Sequence, residues 1–382
     1  MSYAADIRAA WRTWPCFVLM GTMWGGFHAY VPQVKSAAGA SDAAFGLALL
    51  ASAVGSLAAM ALAPKFETWT GSHSLALCGA VMVCCFPLLA GVGSVFGLTA
   101  TLIVIGMTLG LTDVVMNAQV ARDEAATGRS LMNLNHGLYS LAYAVAALTA
   151  APLRGAGLGP EVFYGCALAF AAVILWPVRS AGTSDAAASQ TKAERTPLPA
   201  PVIWGGIIVL LSFASENAVE SWSALHVERT LDGSPAQGAL APAAMGITMA
   251  IGRLSGQWLV PKGRERQAIQ RASVVAASGA LLAALAWTPA VAWAGFALAG
   301  LGLSILAPLA LSLIGQIARP EVRTHAVARG TMIGYAGFFF GPPIMGMVAE
   351  LAGLRAVYLL IAMSATSILL ALWAMDRHRE PS

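Results

Sequence analysis

Apolar runs of about 20 residues, each long enough to cross a bilayer as a helix, recur from Trp14 to Met375 with short polar breaks between them. In hydrocarbon every backbone N–H and C=O must be paired within the chain, so a series of such runs is committed to helices. Only 10% of the 382 residues are charged and 58% are hydrophobic, against roughly a quarter charged in a soluble domain. The runs leave no stretch of even about 50 residues for a separate soluble domain. An all-α, multi-pass membrane protein follows, with the lipid bilayer as its first partner. The net charge of +4 then says little about nucleic acid, and none is expected as a partner.

The spacing predicts helices 1 to 12 over about 14–34, 42–63, 74–92, 95–118, 130–152, 160–178, 201–224, 239–260, 270–288, 292–316, 328–350 and 355–375. Between the sixth and seventh stands RSAGTSDAAASQTKAERTPLPAP, polar and rich in Ala, Ser and Pro, which reads as a linker between halves. The domain division is therefore 1–178, a linker at 179–200 and 201–382. With the N-terminus in the cytoplasm, all of the 22 lysines and arginines except Lys35, Arg154, Arg229 and Arg355 fall on the cytoplasmic side, as positive-inside topology requires. Both termini and the linker are then cytoplasmic and the membrane is the inner, plasma membrane. Arg8 and Arg12 precede the first apolar run, but no small-residue cleavage site follows it, so helix 1 is read as retained. Cys16, Cys78, Cys84, Cys85 and Cys166 all lie inside predicted helices in no metal-ligand spacing, and read as small core residues.

The halves look like copies. GSLAAMALAPK (Gly55 to Lys65) matches GRLSGQWLVPK (Gly252 to Lys262) at Gly, Leu, Leu, Pro and Lys, and QVAR from Gln119 matches QIAR from Gln316. Pro64 to Pro261 and Gln119 to Gln316 are the same step along the chain. Helices 2 to 4 thus repeat as helices 8 to 10, giving two six-helix bundles in parallel topology about an axis normal to the membrane.

Helix 7 carries the sharpest chemical signal. SFASENAVESW, from Ser212 to Trp222, puts Glu216 and Glu220 inside an otherwise apolar run. A charge at such depth costs several kcal/mol, so each acid needs a partner or a purpose. Four residues apart, the two share a helix face, and like charges one turn apart in a low dielectric do not both ionise cheaply. This is the chemistry of a proton-binding site. The competing reading has both acids solvated in a water-filled vestibule, more so Glu220, which is nearer the helix end. With about 1.5 Å of rise per residue, Glu216 lies roughly 22 Å along a core about 30 Å thick. No Lys or Arg inside helix 7 is available to pair with it, which makes Glu216 the expected principal proton carrier.

A 6+6 repeat with a basic loop between helices 8 and 9 resembles the major facilitator superfamily. DVVMNAQ (Asp113 to Gln119), NHGLYSL (Asn135 to Leu141), ENAVESWSAL (Glu216 to Leu225) and GYAGFFFGPPIMGMVAELAGLRA (Gly334 to Ala356) are similar to short bacterial facilitators of a sugar-permease-like or uncharacterised kind. The loop after helix 2 departs from the family signature. ALAPKFETWTGSHS keeps Lys65 and Gly71 but lacks the acid and the basic pair, and Gln257 stands where the second copy would have an acid. That loop latches the cytoplasmic gate in the family, so the resemblance implies an altered gate, with Lys65, Arg129, Arg253 and Arg329 as its basic residues. It also implies that helices 1, 4, 7 and 10 line a central cavity while 3, 6, 9 and 12 face lipid.

The interior ionisable residues agree with that layout: His28 on helix 1, Asp113 on helix 4, His136 on helix 5, and Glu216 and Glu220 on helix 7. Asp113 and His136 fit a proton relay, or Asp113 ties helix 4 to Arg329 or Arg253 as a latch; His28 and His136 read equally as packing histidines. Glu216, Glu220, Asp113 and His136 are the proton-coupling candidates. Asn117, Asn135, Tyr139, Asn217, Trp222 and Tyr335, with His28, offer amides and flat rings that suit a sugar-like solute and fit an amphipathic drug as well. Gly341-Pro342-Pro343 is expected to break or kink helix 11.

No Walker loop, HExxH or nucleophile paired with a base at matched spacing occurs. An enzyme and a cofactor are not expected. The expected function is secondary active transport of a small organic solute, sugar-like or another polar metabolite, by alternating access with proton coupling, in a monomer. The alternatives are a multidrug or metabolite exporter, a uniporter, and a receptor or scaffold that kept a transporter fold.

Overall fold

The computed structural model describes residues 3–178, 199–261, 263–319 and 322–378. Nearly all of the linker expected at 179–200, and Lys262, lie outside the described residues. Helices follow one another as the apolar runs require, all but α3 and α6 of membrane length: α1 Trp14–Ala37, α2 Asp42–Met60, α3 Ser74–Cys85, α4 Val95–Thr127, α5 Met132–Gly155, α6 Pro160–Leu175, α7 Ala200–Thr230, α8 Pro235–Leu259, α9 Glu265–Ala284, α10 Pro289–Ile317, α11 Arg323–Ala352 and α12 Leu354–Arg377. A 3-10 turn, Phe86–Gly91, completes the α3 crossing where Pro87 ends regular α-helix.

Helix starts are written locally. The side chains of Ser41, Ser94 and Thr288 accept from the backbone N–H groups of Ala44, Gly97 and Val291 at the first turns of α2, α4 and α10. Pro15, Pro160, Pro201 and Pro289 stand where a missing N–H does no harm. α4 closes on Gly128, whose φ of 66° is the left-handed conformation glycine adopts freely.

Within the first half α1 packs on α5 and α2 on α4; within the second, α7 packs on α11 and α8 on α10. The halves meet where α2 lies along α11 and α5 along α8. Close approach depends on missing side chains: a Cβ on Gly25 would stand 2.2 Å from the Tyr143 carbonyl oxygen across the α1–α5 seam. Val173, Met332, Met363 and Leu370 leave an apolar outer surface for lipid. Seven stretches of the described chain are long and apolar enough to cross a membrane by composition alone, α6 is apolar but shorter, and α1, α5, α8 and α9 fall outside that set.

Three sequence expectations change. α11 runs as one helix through Pro342 and Pro343, so the expected break does not occur, and the Pro342 carbonyl lies against Gly46 of α2. Pro64 begins a short helix, Ala63–Thr70, whereas Pro261 stands in a turn after α8: both follow the second helix of their half, with different local structure. Cys84 and Cys166 are exposed on the apolar outer surface and only Cys16 and Cys78 are core residues; all are free thiols, because a thiol is as compatible with lipid as with a core.

Candidate functional site

A cavity of about 320 Å³ lies between the halves, walled by α1, α2, α4, α5, α7, α8 and α11. Asp113, Glu216 and Glu220 reach it, and so do Arg253, His28, His136, Tyr139, Asn217 and Tyr335. Much of the remaining wall is ring: Phe17, Trp24, Phe213, Phe338 and Phe339. The wall runs down α2 from Leu49 through Ser56 to Met60, toward the face that carries the N-terminus.

The acids have different neighbours. Arg253 of α8 donates to Glu216 at 2.7 Å and, through its other terminal nitrogen, to Ser140 of α5 at 2.8 Å. Asp113 accepts from Asn117 Nδ2 at 2.9 Å, one turn along its own helix. Glu220 has no hydrogen bond or ion pair among the described residues. His28 is held by the Tyr143 hydroxyl at 2.9 Å from Nδ1 and lies parallel on Trp24 with ring centroids 5.0 Å apart. His136 sets its ring edge-on to Phe17 at 5.1 Å. Three carboxylates thus face one guanidinium, and any further neutralisation must come from protons or from a bound solute.

Several expectations are corrected here. Glu216 does have a basic partner, supplied by α8, which a reading confined to helix 7 could not find. Arg253 accordingly stands in the cavity wall, away from a surface gate. Glu220 shares the cavity with Glu216 instead of lying out in solvent. Asp113 and His136 share no hydrogen bond, and Arg253 goes to Glu216 and not to Asp113. Trp222 is fully buried, edge-on to Phe45 of α2 at 5.5 Å, and Asn135 is fully buried with its side chain accepting from Thr13 Oγ1 at 3.1 Å and donating to the Leu131 carbonyl. Neither lines the cavity. Asn117 reaches it only through Asp113. Lys65 is exposed, and Arg129 pairs with Asp6 of the short N-terminal helix Tyr3–Ala9, inside one half; Arg329 lies on the first turns of α11, half-buried and outside the cavity wall. α10 contributes nothing to the wall, since its small and aliphatic residues pack on α7, α8 and α9, while α2, α5, α8 and α11 do contribute.

At the opposite face the halves are fastened together, which the sequence reading missed. Asp42, at the start of α2, is 4% exposed and takes a bidentate pair from Arg229 of α7 at 2.6 and 3.1 Å and a third contact from Lys35 at 2.9 Å. Arg154 at the end of α5 is paired with Glu228 of α7 at 2.5 and 3.2 Å and donates to the Pro235 carbonyl at 3.0 Å. Glu350 of α11 accepts from the N–H groups of Asp42 and Ala43 at 2.8 and 3.2 Å. The ion pairs at the face carrying the N-terminus, Arg122 with Glu67, Arg129 with Asp6 and Arg266 with Asp376, each stay inside one half. The signal was available: Lys35, Arg154 and Arg229 are three of the four basic residues sorted to the minority face, and acids on that face are their natural partners, while the fourth, Arg355, donates to the Ala284 carbonyl. Among the described residues no three His, Cys, Asp or Glu gather into a metal-holding group.

This arrangement, a central cavity between two helical halves closed at one face, is accompanied by a sequence match. The profile of the Major Facilitator Superfamily matches residues 13–303. The chain belongs to the major facilitator superfamily. An uncharacterized MFS-type transporter of Yersinia pestis is 29% identical over 367 residues, covering 94% of each chain, and the membrane protein MosC of Rhizobium meliloti is 28% identical over 379 residues, covering 95% of this chain and 89% of its own. Among solved structures this facilitator superposes on the nucleoside transporter NupG with a TM-score of 0.72 at 14% identity, covering 97% of this chain and 99% of the other. A D-xylose-proton symporter gives 0.75 at 15%, covering 97% of both. At such identities the likeness speaks for the fold, two six-helix bundles. A facilitator with a cavity of this kind is a membrane transporter and not an enzyme.

Proposed function

We propose that this transporter moves a small organic solute by alternating access and couples the movement to protons held in the central cavity. The observation that carries the reading is Glu220, a carboxylate without a partner among the described residues, beside Asp113 and the Glu216–Arg253 pair. Glu220 and Asp113 hold the coupling proton, while Glu216 holds Arg253. His136 is a further group in the wall able to take a proton. With the termini in the cytoplasm of a bacterial inner membrane, the face sealed by Asp42, Arg154 and Glu350 is the outer one and the cavity is open inward.

A polar solute finds His28, Tyr139, Asn217 and Tyr335 in the wall. Asn217 is the one amide among the expected three that reaches it directly, which weakens the sugar-like reading relative to other polar metabolites. Nucleoside and sugar transporters of the same fold make such solutes reasonable probes. We further infer the division at 1–178, 179–200 and 201–382, and function as a monomer.

Reconstitution in proteoliposomes tests the reading. A panel of sugars, nucleosides and amines is offered with and without an imposed pH gradient, and accumulation that an uncoupler collapses is the expected result. Flux indifferent to the gradient would leave a uniporter.

A further inference from the structure

We propose that the solute is an organic cation with a ring-bearing or otherwise apolar body, whose positive charge sits against Glu220 and replaces a proton there. This deepens the reading of the cavity as the transport site and rests on it.

The charge inventory points this way. Among the described residues Arg253 is the cavity's one guanidinium, and Glu216 already neutralises it at 2.7 Å. An anionic solute would therefore meet no unspent positive charge and would face the acids. A neutral sugar needs a ring of donors and acceptors, yet His28 is engaged by Tyr143 and Asn117 is held by Asp113 outside the lining, so the wall offers one amide, Asn217, with the hydroxyls of Tyr139, Tyr335, Ser52 and Ser56. Beside these few groups stands an unpartnered carboxylate among flat rings. Trp24 and Tyr139 bound the cavity on the first half, and Phe213 stacks on Phe338 at 4.8 Å between centroids on the second. Ring faces attract a cation by their quadrupole, more strongly where water is excluded, and a carboxylate supplies the counter-charge.

The other charged and titratable groups set the exchange. From its own helix Glu220 faces Glu216, from α8 Arg253, and from α5 Tyr139, Tyr143 and His136. Across the cavity stand Asp113 of α4, His28 of α1 and Tyr335 of α11. With Glu216 and Asp113 both nearby, an ionised Glu220 adds to an excess of negative charge in a poorly hydrated place. A proton or an organic cation relieves that excess, and occupancy by one excludes the other. One positive charge enters as one proton leaves, so the cavity's charge is unchanged and the two movements are antiparallel.

Binding of radiolabelled tetraphenylphosphonium to the full-length purified protein in detergent tests this without requiring transport. Wild type should bind at about pH 8 and at least about tenfold more weakly near pH 6, because protons compete. Glu220→Gln should lose about tenfold at the higher pH and with it the pH dependence. Glu220→Asp, which keeps the charge, should keep both, and decides the matter if the glutamine variant does not fold. Wild type that ignores tetraphenylphosphonium, or Glu220→Gln that binds it as wild type does, overturns the proposal. A cation bound by a protein that shows no gradient-driven accumulation would instead overturn proton coupling and leave the solute class standing.

Discussion

Arg253 on α8 joins Glu216 on α7 at 2.7 Å and Ser140 on α5 at 2.8 Å, so one guanidinium links a carboxylate of its own half to the other half. Removing only the carboxylate leaves a positive charge in the cavity wall, which opposes a cationic solute. Glu216→Gln should weaken tetraphenylphosphonium binding about tenfold, and adding Arg253→Met should restore most of it. A double variant as weak as the single one would show that Glu216 touches the solute itself.

Asp113 makes its side-chain hydrogen bond to Asn117 on its own helix and stands across the cavity from the arginine. As a second proton holder it should matter for driving force more than for passage. Asp113→Asn should cut gradient-driven accumulation by about tenfold or more while counterflow between equal pools continues. Loss of counterflow to the same extent would make Asp113 part of solute binding.

Asp42 gathers Arg229, Lys35 and, through its backbone N–H, Glu350, so three elements are tied at one buried carboxylate. Asp42→Asn keeps the shape but drops the charge that two cations need. A loss of about 1.4 kcal/mol would move the balance between sealed and open outer faces tenfold. Spin labels at Leu158 and Asp232, after Cys84, Cys85 and Cys166 are replaced, should report a longer distance population. Asp376→Asn, whose partner Arg266 lies in the same half, should leave that distribution unchanged.

The helices were legible because the bilayer imposes one period and one length, and the apolar runs from Trp14 onward record it. Depth was legible too: Asp113, Glu216 and Glu220 stand out as charges where charges are expensive. Partners were not. Arg253 lies 37 residues from Glu216, and Arg229 lies 187 from Asp42, and no local pattern says which face of one helix meets which face of another. For the same reason Trp222 and Asn135, next to signal residues in sequence, proved to point into the core.

Trp222 is fully buried against Phe45, and its indole N–H has no partner among the described residues. Its role is volume. Trp222→Phe should cost less than about 1.5 kcal/mol, because no hydrogen bond is lost, and Trp222→Ala about 3–5 kcal/mol from the cavity left behind. Thermal unfolding in detergent reads the difference, and cation affinity of the folded Trp222→Phe protein should match wild type. A phenylalanine variant of normal stability and poor affinity would return Trp222 to the binding site.

Gly46 places α2 against α11 beside the sealed face: a Cβ there would lie 2.5 Å from the Pro342 carbonyl oxygen and 3.1 Å from the Gly346 Cα. Both neighbours are backbone and yield only if the helices separate. Alanine in a helix is intrinsically better than glycine by about 1 kcal/mol, so substitution at an open position should stabilise. Gly165 on α6 has nothing within 4 Å and supplies that control. Gly46→Ala should instead oppose closure, with overpacking of about 1–3 kcal/mol offsetting or exceeding the helical gain. The spin-label pair at Leu158 and Asp232 should then shift toward longer distances in Gly46→Ala and not in Gly165→Ala. Identical distributions for both would mean that the α2–α11 seam does not set the outer closure and that the ion pairs around Asp42 hold it alone.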